Sequence, residues 1–229
     1  MLHCPIVKRL VVAVDGPSGA GKGTVARAAA RALGYRHVDT GAMYRAVAWR
    51  ARQAGVALED AAAVAAVAAR AAFDLADGVV VIDGHDVTTA IRTPGIDMAA
   101  ALVARNPAVR EVLVARQRAL GADGAVVMEG RDIGTVVFPD ADVKIYLDAS
   151  HEERARRRAA DPAHTSGHGN DVAHVGEDLA ARDRSDSTRA VAPLAQATDA
   201  VYIDTTGMPV DDVVARVLAL VRDRAAAGG

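Results

Sequence analysis

Lys22 closes the run Gly16-Pro17-Ser18-Gly19-Ala20-Gly21-Lys22, and Gly23-Thr24 follow it. The spacing is that of G-x-x-x-x-G-K. Glycines in such a turn let backbone N–H groups curl around phosphate oxygens while the lysine reaches the outer phosphates. The chemistry implied is capture of a triphosphate chain by Gly16, Pro17, Ser18, Gly19, Ala20, Gly21, Lys22, Gly23 and Thr24. One position departs from the strict pattern. Gly23 stands where a magnesium-holding hydroxyl is expected, and Thr24 comes one place later.

Other charged groups recur at spacings that suit phosphate chemistry. Glu129-Gly130-Arg131-Asp132 directly follows the apolar run Ala125-Val126-Val127-Met128, and a carboxylate just past a central strand is where magnesium or its water shell is held. The same four residues could form an ordinary charged turn. Arg182, Asp186 and Arg189 lie four and three apart, which on a helix sets a carboxylate between two arginines. Taken alone, that is also the pattern of a weak surface ion pair. Glu152-Glu153-Arg154-Ala155-Arg156-Arg157-Arg158 puts several guanidinium groups on one helix, and their planar forks suit phosphate, although basic runs are commonly solvated faces. Tyr44 and Arg45 fall in the first turns of a helix after a strand. Arg110, Arg116 and Gln117 share a later helix, with Arg116 expected on its exposed face. His164, His168 and His174 lack the spacing of a metal cluster.

These residues need a scaffold, and the pattern supplies one. Residues 10–14 read as a buried strand and 25–33 as an alanine-rich helix. Residues 35–38 suggest a second strand ending at Asp39-Thr40, with Thr40 as N-cap of a helix over about 41–54. A helix is expected over 59–72. The period then changes to short strands at 73–75, 79–83 and 86–88, separated by Asp77-Gly78 and Gly84-His85, the turns of antiparallel hairpins inserted outside a parallel core. Arg92-Thr93-Pro94-Gly95 breaks the chain before a helix over 96–104, and Asn106-Pro107 opens the next. Strands at 125–128, 143–147 and 200–203 and a closing helix over 210–224 complete a doubly wound α/β pattern, whose ligands gather at the carboxyl ends of the strands. Residues 161–171, rich in proline, glycine and polar side chains, are expected to flex.

Composition narrows the function classes. The chain of 229 residues is 51% hydrophobic, 3% aromatic and carries a net charge of −2. That balance argues against a protein held to nucleic acid by phosphate neutralisation. One cysteine, Cys4, allows no internal disulfide, no apolar run reaches the length of a membrane span, and residues 1–9 are no signal peptide. A soluble, cytoplasmic protein is expected.

Five short stretches, in order, resemble the cytidylate kinase family, bacterial enzymes that move a phosphoryl group from ATP to CMP. They are residues 16–24, Asp39-Thr40-Gly41-Ala42-Met43-Tyr44-Arg45, Ile91-Arg92-Thr93-Pro94, Gly130-Arg131-Asp132-Ile133-Gly134-Thr135, and residues 182–194. The resemblance runs almost end to end. It implies an α/β P-loop kinase with a five-stranded parallel sheet flanked by helices, a small antiparallel acceptor-binding insert and a lid. Within a single domain, 1–229, the core would take about residues 1–58, 105–150 and 190–229, the insert about 59–104, and the lid with its flanking helices about 151–189.

The resemblance also implies roles. Lys22, Arg45, Arg131 and Arg189 form the catalytic set, and Arg158 joins the glycine-rich loop around ATP. Thr40, Arg45, Arg110, Arg131, Asp132, Arg182, Asp186 and Arg189 bind CMP. Among them Arg45, Arg131 and Arg189 surround its phosphate, Arg182 and Asp186 meet the ribose, and Arg110 and Asp132 meet the cytosine edge. Mg²⁺ accompanies ATP, close to Thr24 and reached by Glu129 through water. Implied partners are ATP and CMP or dCMP, with no nucleic acid, no membrane and a monomeric state. Two positions depart from the family pattern: Ala101 stands where a base-contacting serine is frequent, and Glu129 where aspartate is common. The alternatives are a kinase of the same fold acting on another monophosphate such as UMP, and a non-catalytic nucleotide-binding switch. The switch lacks an NKxD guanine-reading stretch.

Overall fold

The computed structural model describes residues 9–76, 78–161 and 171–227. In chain order, β1 (Val11–Asp15) leads to α1 (Lys22–Leu33), β2 (Arg36–Asp39), α2 (Thr40–Gln53) and α3 (Ala61–Arg70). Three short strands follow: β3 (Phe73–Ala76), β4 (Val79–Ile82) and β5 (His85–Asp86). The chain continues through α4 (Pro94–Arg105), α5 (Pro107–Gly121), β6 (Val126–Glu129) and a π-helical turn (Ile133–Val137). It ends with β7 (Val143–Asp148), α6 (His151–Ala159), α7 (Val172–Thr188), β8 (Val201–Asp204) and α8 (Val210–Ala227).

The five long-range strands form one parallel sheet in the order β2-β6-β1-β7-β8, with β1 at its centre. Val12, Ala13 and Val14 of β1 are fully buried. A parallel strand covered on both faces needs such an unbroken apolar run. One face packs α1 and α8 through Val25, Ala26, Ala29, Val213, Val217 and Val221. On the other, Ala13, Val38, Met128, Ile133 and Val137 form a smaller cluster beneath the π-helical turn. The register pairs Val14 and Asp39 with Glu129, and Asp15 with Tyr146. Asp15, Asp39 and Glu129 therefore end their strands along one edge of the sheet.

The second sheet is antiparallel, in the order β3-β4-β5. It does not have a core of its own: Leu75, Val80 and Ile82 join one cluster with Met43 and Val47 of α2, Val64 of α3, Val103 of α4 and Leu113 of α5. The insert is thereby fixed to the wall of α2 and α5 that faces the strand ends.

Several local expectations are corrected. Asp39, not Thr40, caps α2, because its carboxylate accepts from Ala42 N at 3.0 Å while the Thr40 hydroxyl is used elsewhere. Residues 92–95 do not simply break the chain: Thr93 caps α4 and Pro94 opens it, the position a helix tolerates best. The second hairpin turn is centred on Asp83-Gly84, so His85 lies in β5 rather than in the turn. Arg189 is not on a helical face with Arg182 and Asp186, since α7 stops at Thr188 and Arg189 is its extended C-cap. Arg116 is no idle surface residue: it donates to the carbonyls of Ala71 and, at 2.7 Å, of Ala69, and so holds the end of α3. Residues 162–170, expected to flex, lie outside the described residues, and with them His164 and His168.

Candidate active site

The loop after β1 can take its path only with glycine at its first position. Gly16 has φ +145°, and a Cβ there would lie 1.9 Å from the Leu147 carbonyl oxygen on β7. The turn then delivers Lys22 to the start of α1, where unpaired helix N–H groups and the helix dipole favour an anion. The Lys22 ammonium is buried and donates to Pro17 O at 2.6 Å. Burial, reinforced by the nearby Arg131, pulls its pKa down to about 7. An anionic ligand in the loop would supply the opposing charge. Arg154 of α6 braces the loop from behind by donating to Ser18 O at 3.2 Å and to Ala149 O at 3.1 Å.

The strand ends form the floor. Asp15 is buried and accepts from the backbone N–H groups of Ile133 and Gly134 at 2.8 and 2.7 Å. Its burial pushes the carboxyl pKa up to about 6 despite these bonds. It thus ties the Gly130–Gly134 segment to the phosphate loop. Thr40 Oγ1 donates to Glu129 O at 2.7 Å, joining α2 to the end of β6. The buried Glu129 carboxylate lies 3.1 Å from His37 Nε2.

Opposite the loop stands a wall of arginines, each held by a carboxylate. Arg45 donates to Asp39 Oδ2 at 2.8 Å. Burial acts to raise Asp39, but Arg45 and the Ala42 N–H outweigh it and hold the carboxyl below its usual range. Arg131 Nε donates to Asp186 Oδ2 at 2.9 Å. Here too burial is outweighed, by Arg131 and Arg182, and Asp186 is held low. Arg110 is 3% exposed, bonds to Asp132 and reaches the Tyr44 hydroxyl at 3.3 Å. Arg189 Nη2 lies 3.4 Å from the other oxygen of Asp132, and its Nε donates to Ala192 O. Asp97 of α4 pairs with Arg158 and lies 3.3 Å from Arg182 Nη1 and 3.8 Å from Arg45 Nη1. Buried Nε atoms of Arg45 and Arg182 lack a hydrogen-bond partner among the described residues. Such groups are uncommon unless a ligand uses them.

Loop and wall enclose a cleft of about 690 Å³, within the range of small-molecule sites. Ser18 to Thr24, Thr40, Arg45, Arg110, Glu129, Arg131, Asp132, Arg158, Arg182, Asp186 and Arg189 all line it. Gly16 and Pro17 are buried under the loop instead. Asp186, for which an ion pair within α7 was the alternative to a place in the site, bonds across to Arg131. Sequence reasoning gave no role in this site to Asp15, Asp39, Arg92 or Asp97. Asp39 carried a signal, because a strand-ending aspartate before a helix is a cap candidate. Asp97, inside an alanine-rich helix, carried none.

The family model described as cytidylate kinase matches residues 12–223. The chain belongs to the cytidylate kinase family. Named cytidylate kinases from Solibacter usitatus and Pelotomaculum thermopropionicum are 48% and 51% identical to it, over 96% and 92% of this chain and 96% and 95% of theirs. One from Rhodococcus jostii is 49% identical over 96% of this chain and 98% of its own. A gluconokinase structure from Sinorhizobium meliloti covers 95% of the chain and is itself covered to 94%, with a TM-score of 0.50 at 16% identity, a likeness of fold alone.

Within the family pattern, both departures in this chain acquire a location. Ala101 lines the cleft together with Ala100 and Ala104, so α4 presents methyl groups there. Glu129 faces Gly23 across the loop, where a Cβ on the glycine would come within 3.1 Å of its Oε1.

Proposed function

We propose that this chain transfers the γ-phosphoryl group of ATP to CMP, and to dCMP, giving ADP and the corresponding diphosphate. The observation that carries the reading is the pairing of a lysine-bearing phosphate loop with an arginine wall across one cleft, in a chain of the cytidylate kinase family. Phosphoryl transfer asks for positioning and charge neutralisation more than for covalent chemistry by the protein.

In this reading Lys22 and the loop amides hold the ATP phosphates, with Arg158 beside them. Arg45, Arg131 and Arg189 neutralise the acceptor phosphate and the group in transit. Arg182 and Asp186 meet the ribose. Asp132 accepts from the cytosine amino group while Arg110 donates to the base. A CMP phosphate oxygen, already ionised near neutral pH, attacks the γ-phosphorus in line. The bond from γ-phosphorus to the bridging oxygen breaks, and ADP departs with that electron pair. No strong base is required. The insert around β3–β5 and α4 would carry the acceptor side and α6 with α7 the lid.

The residues suit Mg²⁺. Among the described residues no three His, Cys, Asp or Glu side chains converge as a metal cage, and magnesium normally relies on phosphate oxygens plus one or two protein oxygens. The Thr24 hydroxyl, exposed in the cleft, and the Glu129 carboxylate are such oxygens. When bound, the ion would neutralise charge on the β- and γ-phosphates.

No helix among the described residues is long and apolar enough to cross a membrane. The test compares kcat/KM for CMP, dCMP, UMP and AMP with ATP and Mg²⁺. The reading expects CMP and dCMP to lead; a preference for UMP would keep the reaction and change the acceptor, and a preference for AMP would overturn the cytosine contacts.

A further inference from the structure

Asp97 has no part in the reaction as written, yet its carboxylate joins four helices. It sits on α4 with its side chain 12% exposed. Arg158 reaches it from α6, Arg182 from α7 at 3.3 Å and Arg45 from α2 at 3.8 Å. All three arginines line the cleft, whereas Asp97 is not among its lining residues.

The partners belong to opposite sides of the site. Through Arg154, α6 is bound to the phosphate loop, and through Arg157 to Thr205 after β8, with bonds of 2.8 and 2.6 Å. Arg158 therefore moves with the donor side. Arg45 is anchored to Asp39 at the start of α2, on the acceptor wall. Arg182 is on α7, one turn before Asp186. Because α6 is tied to α7 through Arg154 and Asp183 and through Ala155 packed on Val175 and Leu179, a displacement of the two helices carries both Arg158 and Arg182 away from Asp97 and leaves Arg45 as its nearest guanidinium among these three.

The charge balance makes this arrangement responsive to ligand. Among the described residues Arg45, Arg158 and Arg182 face Asp97, and burial holds both Arg158 and Arg182 below the usual guanidinium range despite it. An acceptor phosphate beside Arg45, with its ribose beside Arg182, would add negative charge next to this cluster and would favour the geometry in which Asp97 also retains Arg158. Linkage makes the effect reciprocal.

We propose that Asp97 is a positioning residue that couples the two nucleotide sites, so that filling one tightens binding at the other. The inference rests on the two-substrate reading above. The test is calorimetric titration of CMP into the intact protein, with and without a saturating non-hydrolysable ATP analogue and Mg²⁺. Wild type should bind CMP roughly 5–150-fold more tightly when the analogue is present, the usual span of such coupling. In Asp97→Asn the ratio should fall toward one, whatever happens to the separate affinities, and Asp97→Glu should restore part of it.

A purely structural role would lower the melting temperature of Asp97→Asn and leave the ratio at its wild-type value, which overturns the proposal. If Asp97→Asn does not fold, Arg158→Gln removes the other half of the contact and must also abolish the ratio; a wild-type ratio there overturns it equally. A wild-type protein that makes CDP but shows a ratio of one defeats the coupling and leaves the reaction standing. Absence of both CMP binding and CDP formation defeats the reaction itself.

Discussion

A Cβ built on Gly23 would stand 3.1 Å from Oε1 of Glu129. That is tighter than ordinary van der Waals contact, so a side chain on residue 23 would push the carboxylate away. Gly23 departs from the strict phosphate-loop pattern, and Glu129 is the position where the resemblance led to an expectation of aspartate. The two departures meet in space: the glycine leaves room for the glutamate to reach beside the loop.

This contact yields the first prediction. Gly23→Ser should lower kcat/KM about tenfold and raise the Mg²⁺ concentration giving half-maximal rate, because sub-ångström shifts of a positioning group are costly. Shortening the partner as well, in Gly23→Ser/Glu129→Asp, should recover part of both losses. Steady-state kinetics across a Mg²⁺ titration decide; strict additivity of the two substitutions would show that they do not interact.

Lys22 gives a pH-dependent stability prediction. Its folded pKa is about 7 against an ordinary 10.5. Between those values the unfolded chain binds more protons than the folded one, so this group makes stability rise with pH across about 7 to 10.5. Below 7 the buried, charged lysine exerts its full cost. Lys22→Met should therefore melt about 2–4 °C or more above wild type at pH 6, with a gap that narrows as the pH rises towards 10, while turnover is lost. A variant less stable than wild type at pH 6 contradicts this.

How much of this was visible in the sequence depends on how local each cause is. The sheet was readable because strands buried on both faces must be continuous apolar runs, and the phosphate loop because glycine and lysine spacing carries its geometry. Thr40 misled as a cap because Asp39 beside it can also cap; only the fold shows that the Thr40 hydroxyl is taken by Glu129 O at 2.7 Å. Ion pairs within one helix, such as Glu153 with Arg156 and Arg157, have a readable spacing, but those that build the site do not. Asp186 looks destined for its neighbours on α7, yet pairs with Arg131, and Asp97 finds its arginines on three other helices.

Arg189 tests the arginine wall. Its Nε holds Ala192 O while Nη2 faces Asp132, so the fork spans two jobs. Arg189→Ala should reduce kcat by orders of magnitude, and Arg189→Lys should rescue little of it, since an ammonium cannot reproduce the planar fork. Circular dichroism should show the fold retained; near-normal turnover in the lysine variant would mean that charge alone suffices.

Ala101 offers a gain-of-function test. It lines the cleft on α4 among other alanines, so that helix offers the base no side-chain hydrogen bond from positions 100, 101 or 104. Ala101→Ser should raise the CMP-over-UMP ratio of kcat/KM by about 3–10-fold, the value of roughly one net hydrogen bond. An unchanged ratio, with unchanged KM for both, would place the base elsewhere in the cleft.

Transfer of the phosphoryl group, rather than nucleotide binding or ATP hydrolysis, has a direct readout. The direct measurement is ³¹P NMR of the protein with ATP, Mg²⁺ and CMP, followed in time. ADP and CDP should appear in equal amounts with little inorganic phosphate. Inorganic phosphate appearing in step with ADP, or no change in ATP while it remains bound, would contradict it.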